Sequence, residues 1–157
     1  MFQGPNDISQ DGDVGVALYS KKVLILHNAN QILPRWMRFM KGVVDSEDIP
    51  LNLSRELLQN SNLIKKLRQI LTHRLIRFLN DEARMDEAKF KEFYDDFNLY
   101  FKEGITKAQD QNEKEDIASM LRFESNRTEP GKYTTLNEYI SRMKDDQKDI
   151  LYFAAPT

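Results

Sequence analysis

Cysteine is absent from the sequence. Disulfides and thiolate metal sites are therefore excluded, and the chain suits a reducing compartment without requiring one. Histidine is almost as scarce: His27 and His73 are the two present. They lie far apart and in neither HxxxH nor HExxH spacing, so a zinc site would have to be assembled by the fold from unrelated segments. A strong excess of either charge is missing too. The 23 basic and 25 acidic residues leave a formal net charge of −2, which gives no global attraction to nucleic acid or an anionic membrane. Any phosphate chemistry has to be local. No run approaches the roughly eighteen apolar residues of a membrane span, and Met1 is followed by "FQGPNDISQDGDVG" rather than a basic and apolar leader. There is no Gly-rich phosphate loop, no GxSxG elbow, no internal repeat and no low-complexity tract.

What is present is a chain of 157 residues, 40% of them hydrophobic, enough for one ordinary domain core or parts of two small ones. Residues 1–15 show no apolar period and read as a loop or frayed start. In "VALYSKKVLIL", residues 16 to 26, two β-branched and aliphatic runs around "SKK" predict strand, sharp bend or edge, strand. "ILPRWMRFMKG" offers Pro34 at a first helical position and Gly42 past the end, which predicts a short amphipathic helix. "VVD" reads as a brief strand before the acidic loop "SEDIP". The three and four spacing of Leu63, Ile64, Leu67, Ile70, Leu71, Leu75 and Phe78 predicts a helix over 62–80 with that side buried. A second helix over 87–102 carries Phe90, Phe93, Tyr94, Phe97, Tyr100 and Phe101 and is expected to end near Gly104. "EKEDIASMLRF" and "TTLNEYISRM" supply two shorter helices, the latter opened by Thr135 and Glu138 in capping-box spacing. "DILYFAAPT" reads as a strand that begins and is cut off. Strands need neighbours, so the pattern predicts an α/β fragment, mostly helical with a few strands, belonging to a larger assembly.

Three places invite a functional reading. A helix starting near Asn52 or Ser54 puts Asn52, Arg55 and Gln59 on one polar stripe, with Leu53 and Leu57 on another face. A cation in a first helical turn opposes the macrodipole, yet free N–H groups at such a place attract anions. Arg55 is therefore either a surface arginine steadied by Glu56, Asp48 or Glu47, or part of a phosphate-binding corner. The second place is the basic face of the long helix, Lys65, Lys66, Arg68, Arg74 and Arg77, with no acid between Leu57 and Asn80. The next stretch, 81 to 103, holds eight acids against four bases. Complementary blocks face solvent or each other, and a nucleic-acid stripe would want interleaved aromatics, of which Phe78 is the one at hand, on the apolar side. The third place is the aromatic run "FKEFYDDFNLYF", whose default is core packing. Its alternative, shared by Trp36 and Phe39, is an exposed contact surface for partner or unfolded chains.

At "GVVDSEDIPLNLSRELLQ", residues 42 to 59, the chain resembles the middle domain of the heat shock protein 90 chaperones. The likeness runs through "LPRWMRFMKG", "KLRQILTHRLIRFL", "FYDDF", "KEGI", "EDIASMLRFES" and "LNEYISRMKDDQKDILYF", covering roughly residues 16 to 153. "VALYSKKVLI" and "SMLRFES" are more similar to the mitochondrial member than to the cytosolic ones, which implies the mitochondrial matrix rather than the cytoplasm. In this family an N-terminal domain binds ATP with Mg, the middle domain swings against it and offers an arginine to the γ-phosphate, and a C-terminal domain forms the homodimer. The resemblance maps that catalytic arginine onto Arg55 and its nucleotide-contacting companions onto Asn52 and Gln59. It implies client proteins and cochaperones as partners, with no nucleic acid, no metal ligand in this chain and no membrane span. It also implies that the chain alone neither holds ATP tightly nor turns it over; a non-enzymatic client or cochaperone module is the alternative. By the same analogy residues 16–84 belong to a larger α/β subdomain, 85–119 to a helical connector and 120–157 to the start of a smaller α/β subdomain. Residues 1–15 match poorly, and "FAAPT" stops where the family's middle domain continues.

Overall fold

The computed structural model describes residues 15–49 and 62–154. The strand, bend, strand reading holds: β1 (Gly15–Ser20) and β2 (Val23–Leu26) pair antiparallel, and β3 (Lys41–Asp45), which contains the "VVD" run, joins them. The sheet order is β2-β1-β3, with β1 and β3 parallel in the register Gly15↔Lys41 to Tyr19↔Asp45. Side chains alternate across a strand, and β1 buries Val16, Leu18 and Ser20 on one face. Between β1 and β2 the register slips, since Leu18 faces Leu26 while Tyr19 faces Leu24; the extra residue is Ile25, a bulge that sharpens the local twist.

The stretch after β2 departs from the sequence reading. Instead of an amphipathic helix there is one 3-10 turn, Arg35–Met37, with Pro34 in extended geometry at its N-cap. The i to i+3 bonds Arg38 N–H to Arg35 carbonyl and Met40 N–H to Met37 carbonyl tighten the chain and turn it into β3 before a second helical turn can form. Burial, not helicity, explains the apolar spacing: Ile32, Leu33, Trp36, Met37 and Phe39 all enter the core.

Three helices cover this core. Helix α1 (Asn62–Met85) outlasts its predicted end at residue 80 by several residues, and α2 (Glu87–Lys107) follows at once, its Asp86 N-cap accepting from the Lys89 amide. Helix α3 (Gln111–Met120) packs across both. The buried stripe of α1 is Ile64, Thr72, Ile76 and Leu79, flanked by half-buried Leu63, Leu67, Leu71 and Leu75. Ile70 and Phe78, predicted to lie on that side, are 42% and 55% exposed. A straight helix drifts relative to a seven-residue apolar repeat, and the second half of α1 turns Thr72, Ile76 and Leu79 inward instead. Gly104 does not end α2; the helix runs through it. A Cβ there would lie 2.8 Å from the Trp36 ring, so the glycine serves close packing.

The aromatic run of α2 is core, as the spacing predicts. Phe39 sits among Phe97, Tyr100 and Phe101 with ring centroids 5.1, 5.2 and 5.8 Å away. Beyond α3 the chain forms a small hairpin that periodicity did not reveal, β4 (Phe123–Glu124) with β5 (Tyr133–Thr134). Two residues per strand are too few to show alternation. Helix α4 (Leu136–Ser141) carries the reciprocal Thr135 and Glu138 capping box. The expected strand in "DILYFAAPT" does not form over residues 150–154: among the described residues no neighbouring strand offers it a ladder, and Leu151, Tyr152 and Phe153 remain 75–91% exposed. The fold class is α/β, mostly helical with small sheets.

Candidate functional site

Because β1 and β3 run parallel, their carboxyl ends emerge at one edge of the sheet. Ligands of open α/β sheets sit beyond such edges. Two structural features meet there. The first is the β1–β2 turn. Ser20 pairs with Val23, leaving Lys21 and Lys22 as a two-residue loop with φ of 47° and 68°. Positive φ at both positions is the type I′ hairpin geometry that Asn-Gly favours. For an unbranched L-residue the left-handed region costs about 1–2 kcal/mol.

The second feature is the chain leaving β3. The Lys22 amide donates to the Asp45 carboxylate at 3.1 and 3.4 Å, and the Ser46 amide donates to the Tyr19 carbonyl at 3.1 Å. The buried Ser20 hydroxyl donates to the carbonyl of Ile49, itself 1% exposed. Residues 45–49 are thus fastened to the end of β1 and its turn at three points. Both lysine side chains and those of Glu47 and Asp48 are exposed. None of the four forms an ion pair among the described residues.

The predicted site residues Asn52, Arg55 and Gln59 lie in 50–61, outside the described residues. The structure does place the two ends of that segment. Ile49 is held as above, and on the far side α1 begins at Asn62 with Ile64 buried and no acid in its first turn.

The other two candidates resolve differently. Lys65, Lys66, Arg68, Arg74 and Arg77 are all exposed, and none makes an ion pair with the acids of α2 among the described residues. Of the two arrangements open to them, they face solvent. Between α1 and α3 lies a groove of about 230 Å³ bordered by Arg77, Arg84, Asp81 and Asp116, its charges mixed. There His73 Nδ1 stands 3.2 Å from Asp116 and the Asn80 amide donates to Ser119. The aromatic run is buried at Phe90, Tyr94, Phe97, Tyr100 and Phe101, which removes it as an exposed contact surface. Trp36 and Phe39 go the same way.

Shifted ionisations mark structural ties. Hydrogen bonds from Lys91 and Tyr133 hold the Asp95 carboxyl below its usual range and, through the same contact, push the Tyr133 phenol up. Burial alone would raise Glu103, but hydrogen bonds from Lys107 and Arg38 outweigh it and the carboxyl titrates low. Among the described residues no three His, Asp or Glu side chains are grouped to hold a metal, and no helix is long and apolar enough to cross a membrane.

Sequence reasoning read "SKK" as a bend or edge and missed its partnership with Asp45 and Ile49. The available signal was the short polar interval between two apolar runs, the length at which hairpin turns form.

The family model described as "Hsp90 protein" matches residues 3–157. Heat shock protein 75 kDa, mitochondrial, of Rattus norvegicus is 51% identical over 150 residues, 96% of this chain and 21% of that protein. The TNF receptor-associated protein 1 homolog, mitochondrial, of Dictyostelium discoideum is 49% identical over 90% of this chain and 20% of its own length. Chaperone protein HtpG of Desulfitobacterium hafniense is 46% identical over 92% and 23%. The chain therefore spans about a fifth of the length of these relatives.

Proposed function

The chain belongs to the Hsp90 family, and from that premise we propose that it is the middle segment of an ATP-dependent molecular chaperone. Its part in the cycle is to supply Arg55 to the γ-phosphate of ATP held by the N-terminal domain of the intact protein. The observation that supports this reading is the family match across residues 3–157, with the "NLSRELLQ" phrase intact inside it. Asn52 and Gln59 are the companions of Arg55 on the same polar stripe. ATP and its Mg belong to the N-terminal domain of the intact protein.

The chemistry asked of this chain is limited. A guanidinium stabilises charge that develops on the transferred phosphoryl group, an effect of roughly 10³ to 10⁵ in rate in other phosphoryl-transfer enzymes. The effect here is smaller, because slow domain closure limits turnover. The sheet edge described above is the rigid base from which the arginine segment departs. Residues 16–84 act as the larger α/β subdomain, 85–119 as connector and 120–157 as the start of the smaller one. The intact protein is a homodimer that binds unfolded clients, with cochaperones as further partners, and the names of the mitochondrial relatives support a place in the mitochondrial matrix.

In the full-length protein, Arg55→Ala is expected to slow ATP hydrolysis by about tenfold or more while ATP affinity at the N-terminal domain stays within about twofold. Steady-state turnover and equilibrium nucleotide binding check the two halves. Unchanged turnover refutes the role.

A further inference from the structure

We propose that the outer face of α1 over residues 66–78 docks an acidic amphipathic helix of a partner protein. Residues four apart on a helix share one face, so Lys66, Ile70, Arg74 and Phe78 form a single stripe, with Arg77 beside it. The stripe points away from the buried Thr72, Ile76 and Leu79. Ile70 and Phe78 are 42% and 55% exposed, and the three cations are exposed as well, without an ion-pair partner among the described residues. Helix α2 shows how a solvated face is built in this fold. Its exposed side pairs opposite charges four residues apart, Lys91 with Asp95 at 2.8 Å and Glu103 with Lys107 at 2.7 Å. On α1 like charges take such positions instead: Arg74 and Arg77 stand three apart, which weakens a helix, and two large apolar side chains are left in water among them. Both features are unfavourable in the uncovered helix and become favourable once an anionic and apolar surface covers them.

The chemistry of the stripe selects its occupant. Ile70 and Phe78 lie about 12 Å apart along the axis, roughly two helical turns. Apolar anchors at i and i+7 of a second helix laid along α1 meet that spacing. Guanidinium groups beside the anchors take carboxylates in bidentate pairs, which calls for Glu or Asp flanking the anchors of the partner. Arg77 also borders the groove between α1 and α3. The acids there are already engaged, Asp81 with Arg84 at 3.6 Å and Asp116 with His73 at 3.2 Å, so Arg77 is left to an incoming anion. Nucleic acid fits this face less well, since Phe78 is the one aromatic on the stripe and base stacking wants several.

The test adds labelled synthetic helical peptides of about 18 residues to the full-length protein and follows fluorescence anisotropy. One peptide carries Leu anchors at i and i+7 flanked by Glu; a second has Lys for each Glu, and a third has Ser for each Leu. The Glu and Leu peptide is expected to bind about tenfold or more tighter than either control, with affinity falling as salt rises. Arg74→Glu with Arg77→Glu is expected to reverse the preference toward the Lys peptide, and Ile70→Ser with Phe78→Ser to weaken the Glu and Leu peptide about tenfold. All four side chains are exposed, so both variants are expected to melt with the parent; Arg74→Gln with Arg77→Gln is the alternative should the reversal fold poorly. No binding of the Glu and Leu peptide at about 1 mM, equal binding of all three peptides, or unchanged affinity in both variants overturns the proposal. Binding of anionic lipid vesicles or single-stranded DNA without the peptide, lost in the arginine variant, gives the face to another anion and overturns it. Self-association lost in the same variant, again without peptide binding, gives the face to a second copy and overturns it too. Peptide binding is expected to be indifferent to Arg55→Ala, so either outcome leaves the nucleotide role of Arg55 untouched.

Discussion

Arg38 shows what a single charge does inside this core. It is 7% exposed, lies 4.6 Å over the Tyr100 ring and meets Glu103 at 2.6 Å. Glu103 in turn accepts from Lys107 at 2.7 Å. Its carboxyl titrates below the ordinary glutamate value of 4.5, so its ionised form is favoured by folding. The stability it contributes is therefore fully present above about pH 4.5 and is lost as pH falls through the lower folded value. Glu103→Gln is expected to flatten the acid side of the stability profile, measured by urea unfolding between about pH 3 and pH 7. At neutral pH the same change leaves Arg38 buried without its anion, at a cost of about 3 kcal/mol. An acid limb as steep as the parent's would show that other carboxylates govern it.

Helix α2 is set against the Arg35–Met37 turn by a contact that opposes local propensity. Alanine in place of glycine inside a helix normally gains about 1 kcal/mol. At Gly104 a Cβ would lie 2.8 Å from Trp36, and that ring is held at its far side by the Trp36 Nε1 bond to Glu113 on α3, 3.1 Å. Overpacking costs typically 1–3 kcal/mol, which exceeds the propensity gain. Gly104→Ala is thus expected to destabilise by about 1–2 kcal/mol, read as a lower urea midpoint with unchanged slope; a raised midpoint would mean that Trp36 yields. The same element explains why spacing alone placed the helix end wrongly. Glycine after an apolar run signals a C-cap, and only the ring packed on it reveals the other use.

For the molecule as a whole, the apolar side chains divide into a core and an uncovered end. Phe101 is fully buried while Leu151 and Phe153 are 75% and 91% exposed. Phe101→Ala is expected to cost about 3–5 kcal/mol, whereas Leu151→Asp with Phe153→Asp should stay within about 0.5 kcal/mol of the parent. Thermal unfolding of the two variants checks this contrast. A large loss from the second would show that the terminal segment packs in solution.

The sequence by itself determined the long helices, the strand, bend and strand of β1 and β2, the Thr135 cap, the aromatic core and the family. Each is written in spacing over a few residues or in a contiguous phrase, and local chemistry reads such signals directly. It also singled out Asn52, Arg55 and Gln59. Only the tertiary structure decided that β3 runs parallel beside β1, that α1 leaves Ile70 and Phe78 in solvent, that Gly104 lies beneath Trp36, and that Ser20, the strained lysine turn and residues 45–49 form one body. These depend on which distant segments meet, and pairing across 20 or more residues leaves no period in the chain.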